Sequence, residues 1–163
     1  MVCLGDVDMV VLQTRVFVEG ITGRQVTDFF INCTDPDYQK WWEGTHLEFH
    51  TVSRATDVIG SLVYFDEYAG KHRLKFKGRI TDYAAGKRLE YRLAKGLLLP
   101  AWLVLEFQDR PDGVDIVHTV KAGYQGIGKM LDPLIRLYLS SDFEDALNKH
   151  ADTEFSRLGG LLR

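Results

Sequence analysis

Residues 16–42 read VFVEGITGRQVTDFFINCTDPDYQKWW, and the order of elements in this stretch decides the fold. Its start belongs to a segment rich in β-branched residues, Met9 to Glu19, which predicts a strand. From Ile21 to Asn32 the apolar residues recur at helical spacing behind Thr22, which suits the N-cap position, so a short helix is expected there. The chain therefore leaves its first strand directly into helix.

A second short helix follows, with Asp35 as its predicted N-cap, Pro36 in the first helical position and Gly44 as its stop. Beyond it, runs of about ten strand-like residues alternate with the turn signals YAGK, AAGK, AKG and RPDG, as in an antiparallel meander. The predicted strands are His46–Arg54, Val58–Glu67, Lys71–Tyr83, Lys87–Lys95, Leu97–Asp109 and Gly113–Gly123.

The last predicted element is a long amphipathic helix, Lys129 to Leu162, which follows a glycine-rich hinge. A meander that exposes one face of its sheet to solvent must bury the other face, and only this helix is long enough to cover it. The sequence thus predicts one α+β domain over residues 1–163: a curved antiparallel sheet of about seven strands, two short helices after the first strand, and a C-terminal helix over a cavity.

The charge balance, the length of the apolar runs and the cysteines of the sequence limit the kinds of protein it can encode. Twenty Lys and Arg against 23 Asp and Glu give a net charge of -3, which argues against a nucleic-acid surface. The longest apolar run, GLLLPAWLVL, is too short to span a membrane, and the start of the chain does not read as a secretory signal. Cys3 and Cys33 are expected to be free thiols, and we expect a cytoplasmic protein whose oligomeric state is open.

The chain resembles the START-like, helix-grip superfamily, which includes polyketide cyclases and the birch-pollen-allergen group. The resemblance rests on residues 16–42, on GRITDYAAGKRLEYRL at residues 78–93, and on DFEDALNKHADTEFSRLGGLL at residues 142–162. It implies a deep, largely apolar cavity between sheet and terminal helix. Many members bind or carry lipids, polyketides or hormones there, and some catalyse aromatisation or cyclisation.

Strand alternation and helical spacing assign side chains to this cavity. Glu154 lies on the core-facing stripe of the terminal helix, His150 flanks that stripe, and His118 shares a strand face with apolar residues. His118 and Glu154 are candidates for acid or base catalysis. The predicted ligand-binding set is Phe49, Leu74, Phe76, Leu89, Tyr91, Leu103, Leu105, His118, Leu134, His150 and Glu154.

The segment HLEFH, His46 to His50, raises the question of a metal. On a strand His46, Glu48 and His50 would share one face, and such a trio can hold zinc or copper, with His150 and Glu154 as further candidate ligands. The alternative is that Leu47 and Phe49 point inward and the polar trio faces water, and strand patterning favours it.

GYQGIGKM at residues 123–130 has the spacing of a phosphate-binding loop, but Met130 stands where a magnesium-binding hydroxyl is needed. We expect this segment to be a flexible lid over the cavity mouth instead, and no cofactor is predicted.

Three functions remain open from the sequence. The first is binding or carriage of a hydrophobic small molecule such as a lipid, polyketide or isoprenoid. The alternative is an enzyme of the polyketide cyclase or aromatase type, and the third is a metal-binding module using His46 and His50.

Overall fold

A computed structural model describes residues 9–123 and 141–163 of the chain. The strands are β1 (Val10–Glu19), β2 (His46–Ser53), β3 (Leu62–Ala69), β4 (His72–Ala84), β5 (Arg88–Lys95), β6 (Leu97–Arg110) and β7 (Gly113–Ala122). The helices within the described residues are α1 (Gly23–Asn32), α2 (Asp35–Trp41) and α3 (Ser141–Leu162). None of these helices is long and apolar enough to cross a membrane.

The strands form one antiparallel sheet in the order β1-β7-β6-β5-β4-β3-β2. Strands β2 to β7 are neighbours in sequence and in space, so the predicted meander is confirmed. The first two strands lie at opposite edges of the sheet, although only α1 and α2 separate them along the chain. These two helices therefore carry the chain from one edge of the sheet to the other.

Local sequence explains how the short helices begin. The Thr22 hydroxyl accepts a hydrogen bond from the Gln25 amide, and the Gln25 side chain accepts one from the Thr22 amide, which makes a capping box. The predicted cap of α2 was wrong by one residue. Thr34 takes the N-cap position and its hydroxyl accepts the Asp37 amide, while Asp35 is already helical.

The third strand begins four residues later than predicted. Residues 58–60 form a turn instead, in which Gly60 has φ 95° and the Ser61 amide donates to the Val58 carbonyl. The turn returns the chain to the sheet at Leu62, which pairs with Arg79 of β4.

Strand β2 contains a bulge that the pattern of the sequence does not predict. The register shifts between His46 and Glu48, so that Leu47 has no partner across the ladder. His46 and Phe49 both face the interior as a result, with 0% and 5% of their surfaces exposed. The predicted strict alternation, with Leu47 inward and His46 outward, is therefore wrong at the start of this strand.

The helix α3 packs its buried face against the sheet. Ala151, Phe155 and Leu158 of this face are nearly inaccessible and belong to the main core with residues of α1, α2 and all seven strands. A smaller second core lies under the N-terminal part of the same helix, where Phe143 and Leu147 cover the sheet. Residues 129–140 of the predicted long helix and the proposed lid, from Tyr124 onward, lie outside the described residues.

Candidate functional site

A cavity of about 40 Å³ lies between the sheet and α3. Most of its walls are apolar or aromatic, and its polar groups come from both the sheet and the helices. The apolar lining consists of Phe30, Trp41, Phe49, Phe65, Leu103, Leu105 and Phe155, and the polar lining of Tyr38, Glu67, Tyr91, His118 and Glu154.

Six residues that the sequence assigned to a cavity do line this one. They are Phe49, Tyr91, Leu103, Leu105, His118 and Glu154.

The other assigned residues lie elsewhere. Leu74 is in the smaller core because β4 begins beneath the N-terminal part of α3. Phe76 is partly buried against both cores, and Leu89 is fully buried in the main core without lining the cavity. Leu134 is outside the described residues, and His150 belongs to a polar cluster beside the cavity.

That polar cluster consists of His46, Glu67, His150 and Glu154. The His46 Nε2 atom lies 3.2 Å from the Glu154 Oε2 and 3.8 Å from the Glu67 Oε2. The His150 Nε2 atom lies 3.3 Å from the first of these oxygens and 3.6 Å from the second. Two imidazoles and two carboxylates, from β2, β3 and α3, thus converge on one buried point.

Strand and helix geometry explain why these four side chains meet. The bulge turns His46 inward at the start of β2, where it pairs with Glu67 near the end of β3. His150 and Glu154 are four residues apart on α3, so their side chains lie on the same face one turn apart. The Trp41 indole donates a 2.6 Å hydrogen bond to the Glu154 carbonyl and so fixes α2 against this turn of the helix.

Aromatic rings and a carbonyl hold the first histidine in place. Tyr38 stacks on His46 with ring centroids 4.0 Å apart and planes within 5°. The His46 Nδ1 atom lies 3.3 Å from the Tyr38 carbonyl oxygen, and the Tyr38 hydroxyl donates to Glu67. The ring of His150 stacks on Trp42 in the same way, with centroids 5.1 Å apart.

The ionisable groups of the cluster shift each other's pKa values. Burial alone would raise the pKa of Glu154, but the adjoining His150 and His46 outweigh it and lower that pKa below its usual range. Burial lowers the pKa of His150, and the two carboxylates outweigh that effect and raise this pKa to about 10. The pKa of Tyr38 is raised by burial and by the neighbouring carboxylates, so its hydroxyl remains a donor.

His118 occupies a different part of the cavity wall, on β7. Its ring packs against Phe155 with centroids 5.9 Å apart, and only 8% of the residue is exposed. Burial lowers its pKa and outweighs the attraction of the glutamates, which keeps the imidazole neutral at pH 7. A neutral imidazole offers one donor and one acceptor to a polar group in the cavity.

The structure does not bring together His46 and His50, the two histidines that the sequence offered as alternative metal ligands. The His50 Nδ1 atom lies 2.8 Å from Asp35 Oδ1 at the start of α2, and the His50 side chain is 42% exposed. Within the described residues, the group of side chains that could hold a metal contains His46 but not His50.

Sequence reasoning missed Glu67 and Tyr38. Glu67 ends the segment LVYFDE, where alternation gives no reason to turn a carboxylate inward, and Tyr38 reads as an ordinary helix residue. An available signal was the spacing of His150 and Glu154 on a buried helix face, because two such groups require polar partners across the core.

Comparison with known proteins identifies the fold. No protein-family model matches the sequence, and no similar curated protein was found. Among solved structures, Ara h 8.0201 superposes with a TM-score of 0.63 at 9% identity, covering 94% of this chain and 97% of that chain. The Aha1 dimer from Colwellia psychrerythraea gives a TM-score of 0.59 at 13% identity, with coverages of 94% and 96%.

The ZhuI aromatase/cyclase from Streptomyces sp. R1128 has a TM-score of 0.58 at 9% identity, with coverages of 94% and 91%. These proteins have START-like helix-grip folds, and the match extends over almost the whole chain. The predicted fold class is therefore confirmed. At such low identity the likeness defines the architecture and not the chemistry.

Proposed function

We propose that this START-like helix-grip domain binds a hydrophobic small molecule that carries a polar group. The observation that carries the proposal is the cavity between sheet and α3, whose walls are mainly aromatic and aliphatic but include His118 and Glu154. Pockets for small molecules typically have this composition, in which apolar area provides affinity and a few polar groups fix orientation.

The size of the cavity sets a condition on the ligand. A volume of about 40 Å³ holds only a few waters, since one water needs about 10–15 Å³ on this scale. Sites for drug-sized ligands are roughly 300–1,000 Å³. A ligand of lipid or polyketide size therefore enters only if lining side chains move outward.

The aromatic side chains of the lining meet in contacts that are individually weak. The ring of Phe30 meets those of Trp41 and Phe49 edge to face. Its centroid lies 5.7 Å from that of Trp41 and 5.9 Å from that of Phe49. Each edge-to-face contact contributes only about 0.5–1.5 kcal/mol beyond burial. Apolar ligand surface that replaces these contacts recovers about 25 cal/mol per Å².

Binding can be tested with a fluorescent apolar probe and a matched pair of substitutions on β6. Leu103→Trp fills the cavity, whereas Leu97→Trp makes the same change at a position that is 68% exposed. We expect Leu103→Trp to weaken probe binding roughly tenfold, about 1.4 kcal/mol, and Leu97→Trp to leave it unchanged. Native mass spectrometry of gently purified protein would identify a natural ligand. Equal binding by both variants would reject the cavity as the site.

The second candidate function is an enzyme of the cyclase type, favoured by the presence of a neutral imidazole, His118, and a carboxylate, Glu154, in the lining of one cavity. Such a pair can move protons during enolisation and dehydration of a poly-carbonyl substrate. His118→Gln distinguishes the two functions. A carrier should retain probe affinity within about threefold and show no turnover with poly-β-carbonyl substrates, while a cyclase should lose turnover at unchanged substrate affinity.

A further inference from the structure

We propose that His46, Glu67, His150 and Glu154 form a binding site for one divalent first-row transition-metal ion, with zinc as the reference ion. Each residue offers one ligand atom, and these four atoms lie within 4.8 Å of one another. The inference does not depend on the proposed ligand function, because metal binding can be measured without an organic ligand.

Four of the six separations between the ligand atoms are close to those of a tetrahedral centre. Zinc bound to nitrogen and oxygen at about 2.0–2.2 Å places its ligands about 3.3–3.6 Å from one another. The four nitrogen–oxygen separations in the cluster are 3.2, 3.3, 3.6 and 3.8 Å. The side chains therefore already surround a point at which a metal fits with only small adjustments.

The ring of His46 is oriented for ligation. Its Nδ1 atom lies next to the Tyr38 carbonyl, which can only accept, so this nitrogen carries the proton in the neutral ring. The lone pair is then on Nε2, the atom that faces both carboxylates. Metal-bound histidines usually hold their other ring nitrogen in this way.

The side chain of His150 provides a second indication of a metal site. The residue is 4% exposed, and its buried Nε2 atom has no aligned hydrogen-bond partner, although two carboxylate oxygens lie within 3.6 Å. A buried polar atom without a partner is costly. A metal ion between the nitrogen and these oxygens would satisfy it.

Formal charge and ligand type select the ion. Once His150 has released its extra proton to bind the metal, two carboxylates and two neutral imidazoles balance a divalent cation, which leaves no net charge in a buried site. Imidazole ligands suit zinc and other first-row transition metals, whereas magnesium and calcium prefer oxygen alone.

A groove on the outside of the fold lies next to the cluster. A groove of about 380 Å³ includes His46 in its lining, together with Glu43, Glu48 and Asp66. The three carboxylates attract a cation to the groove, and the nearby Arg73 and Lys75 limit that attraction. His46 thus lies between the groove and the interior cluster.

The test uses untagged protein that has been stripped with a chelator and reloaded with zinc alone. We expect one zinc per chain by elemental analysis, and a cobalt-substituted protein with the intense visible absorption of a tetrahedral centre. Glu67→Gln, which keeps the size of the side chain, and His150→Gln should each weaken zinc binding about 100-fold or more, since even second-shell changes cost about 10–100-fold.

His50→Gln is the matched control, because it removes an imidazole from the same strand outside the cluster. It should leave affinity and stoichiometry unchanged. Tyr38→Phe removes the hydroxyl that donates to Glu67 and should weaken zinc binding about tenfold. Circular dichroism of each metal-free variant separates a lost site from a lost fold. The proposal is overturned if folded wild type takes up no stoichiometric zinc, or if folded Glu67→Gln and His150→Gln bind it as wild type does.

Discussion

Asp66 is a buried carboxylate on β3 that lies outside both the cavity and the polar cluster. Arg73 donates two hydrogen bonds of 2.8 Å to its two oxygens, and the Lys75 ammonium lies 3.5 Å away. The hydrogen bonds from Arg73 outweigh burial and lower the pKa of this carboxyl. Its ionised form is therefore favoured in the folded state.

This shift predicts how stability depends on pH. Because the folded pKa is below the unfolded value of about 3.9, the pair contributes fully above that value, and the contribution is lost as pH falls through the folded pKa. We expect Asp66→Asn to be less stable than wild type at pH 7, with the difference shrinking below about pH 4. Urea unfolding of both proteins at a series of pH values measures this difference in the free energy of unfolding.

Asp57→Asn, at an exposed position, is the matched control for this measurement. It should differ little from wild type at any pH. If Asp66→Asn followed the control at pH 7, the guanidinium pair would not stabilise the fold.

The inward residues were only partly predictable from sequence. Alternation correctly predicted that Leu74 of β4 faces inward, because the strand keeps a strict period of two from His72 to Ile80. The same rule failed for His46. The bulge at Leu47 interrupts the alternation, so that His46 and Phe49 face the same side of the sheet. Glu67 was not found at all, since a carboxylate is buried only where partners from distant segments meet it.

At the scale of elements, the contact between α1 and the sheet is unusually close. A Cβ atom added to Gly23 would lie 2.4 Å from the Gly86 carbonyl oxygen and 2.7 Å from Phe107 Cβ. The helix start is also fixed by a 2.7 Å hydrogen bond from the Gly23 amide to Asp109. The first turn of α1 cannot move away without breaking this bond.

Gly23→Ala should therefore destabilise the protein by about 1–3 kcal/mol, because the added methyl group overpacks the contact. Gly160→Ala is the matched control on α3, where an added Cβ meets no atom within 4 Å. It should stabilise by about 0.5–1 kcal/mol, since alanine favours helix over glycine. Urea unfolding of the two variants checks both signs, and a neutral Gly23→Ala would show that the helix start adjusts freely.

Elements with strong local signals were predicted well, and their boundaries less so. Thr22, the N-cap that the sequence predicted, does cap α1. The cap of α2 was displaced because Thr34 and Asp35 both suit that position. The apolar residues Val58 and Ile59 resemble a strand, but the glycine that follows them closes a turn.

At the scale of the whole molecule, the order of elements was enough to predict the architecture. A meander, two preceding helices and one long amphipathic helix leave few ways to bury the apolar faces. The interior site was not predictable in the same way, because it depends on which side chains of β2, β3 and α3 meet across the core. The cavity volume likewise depends on how aromatic rings pack together.

The packing of α3 leads to a prediction about cooperativity. Leu158 is fully buried in the main core, and it shares that core with residues of α1, α2 and all seven strands. Leu158→Ala should lower the free energy of unfolding by about 2–5 kcal/mol and destabilise the whole described fold, not only the helix.

Far-ultraviolet circular dichroism should therefore report the same urea midpoint as tryptophan fluorescence. Two of the tryptophans, Trp41 and Trp42, contact α3. Leu161→Ala, at a partly exposed position on the same helix, should cost less. If the fluorescence transition of Leu158→Ala came first and left the sheet signal intact, the helix would be an independently opening lid, and ligand entry could proceed without disturbing the sheet.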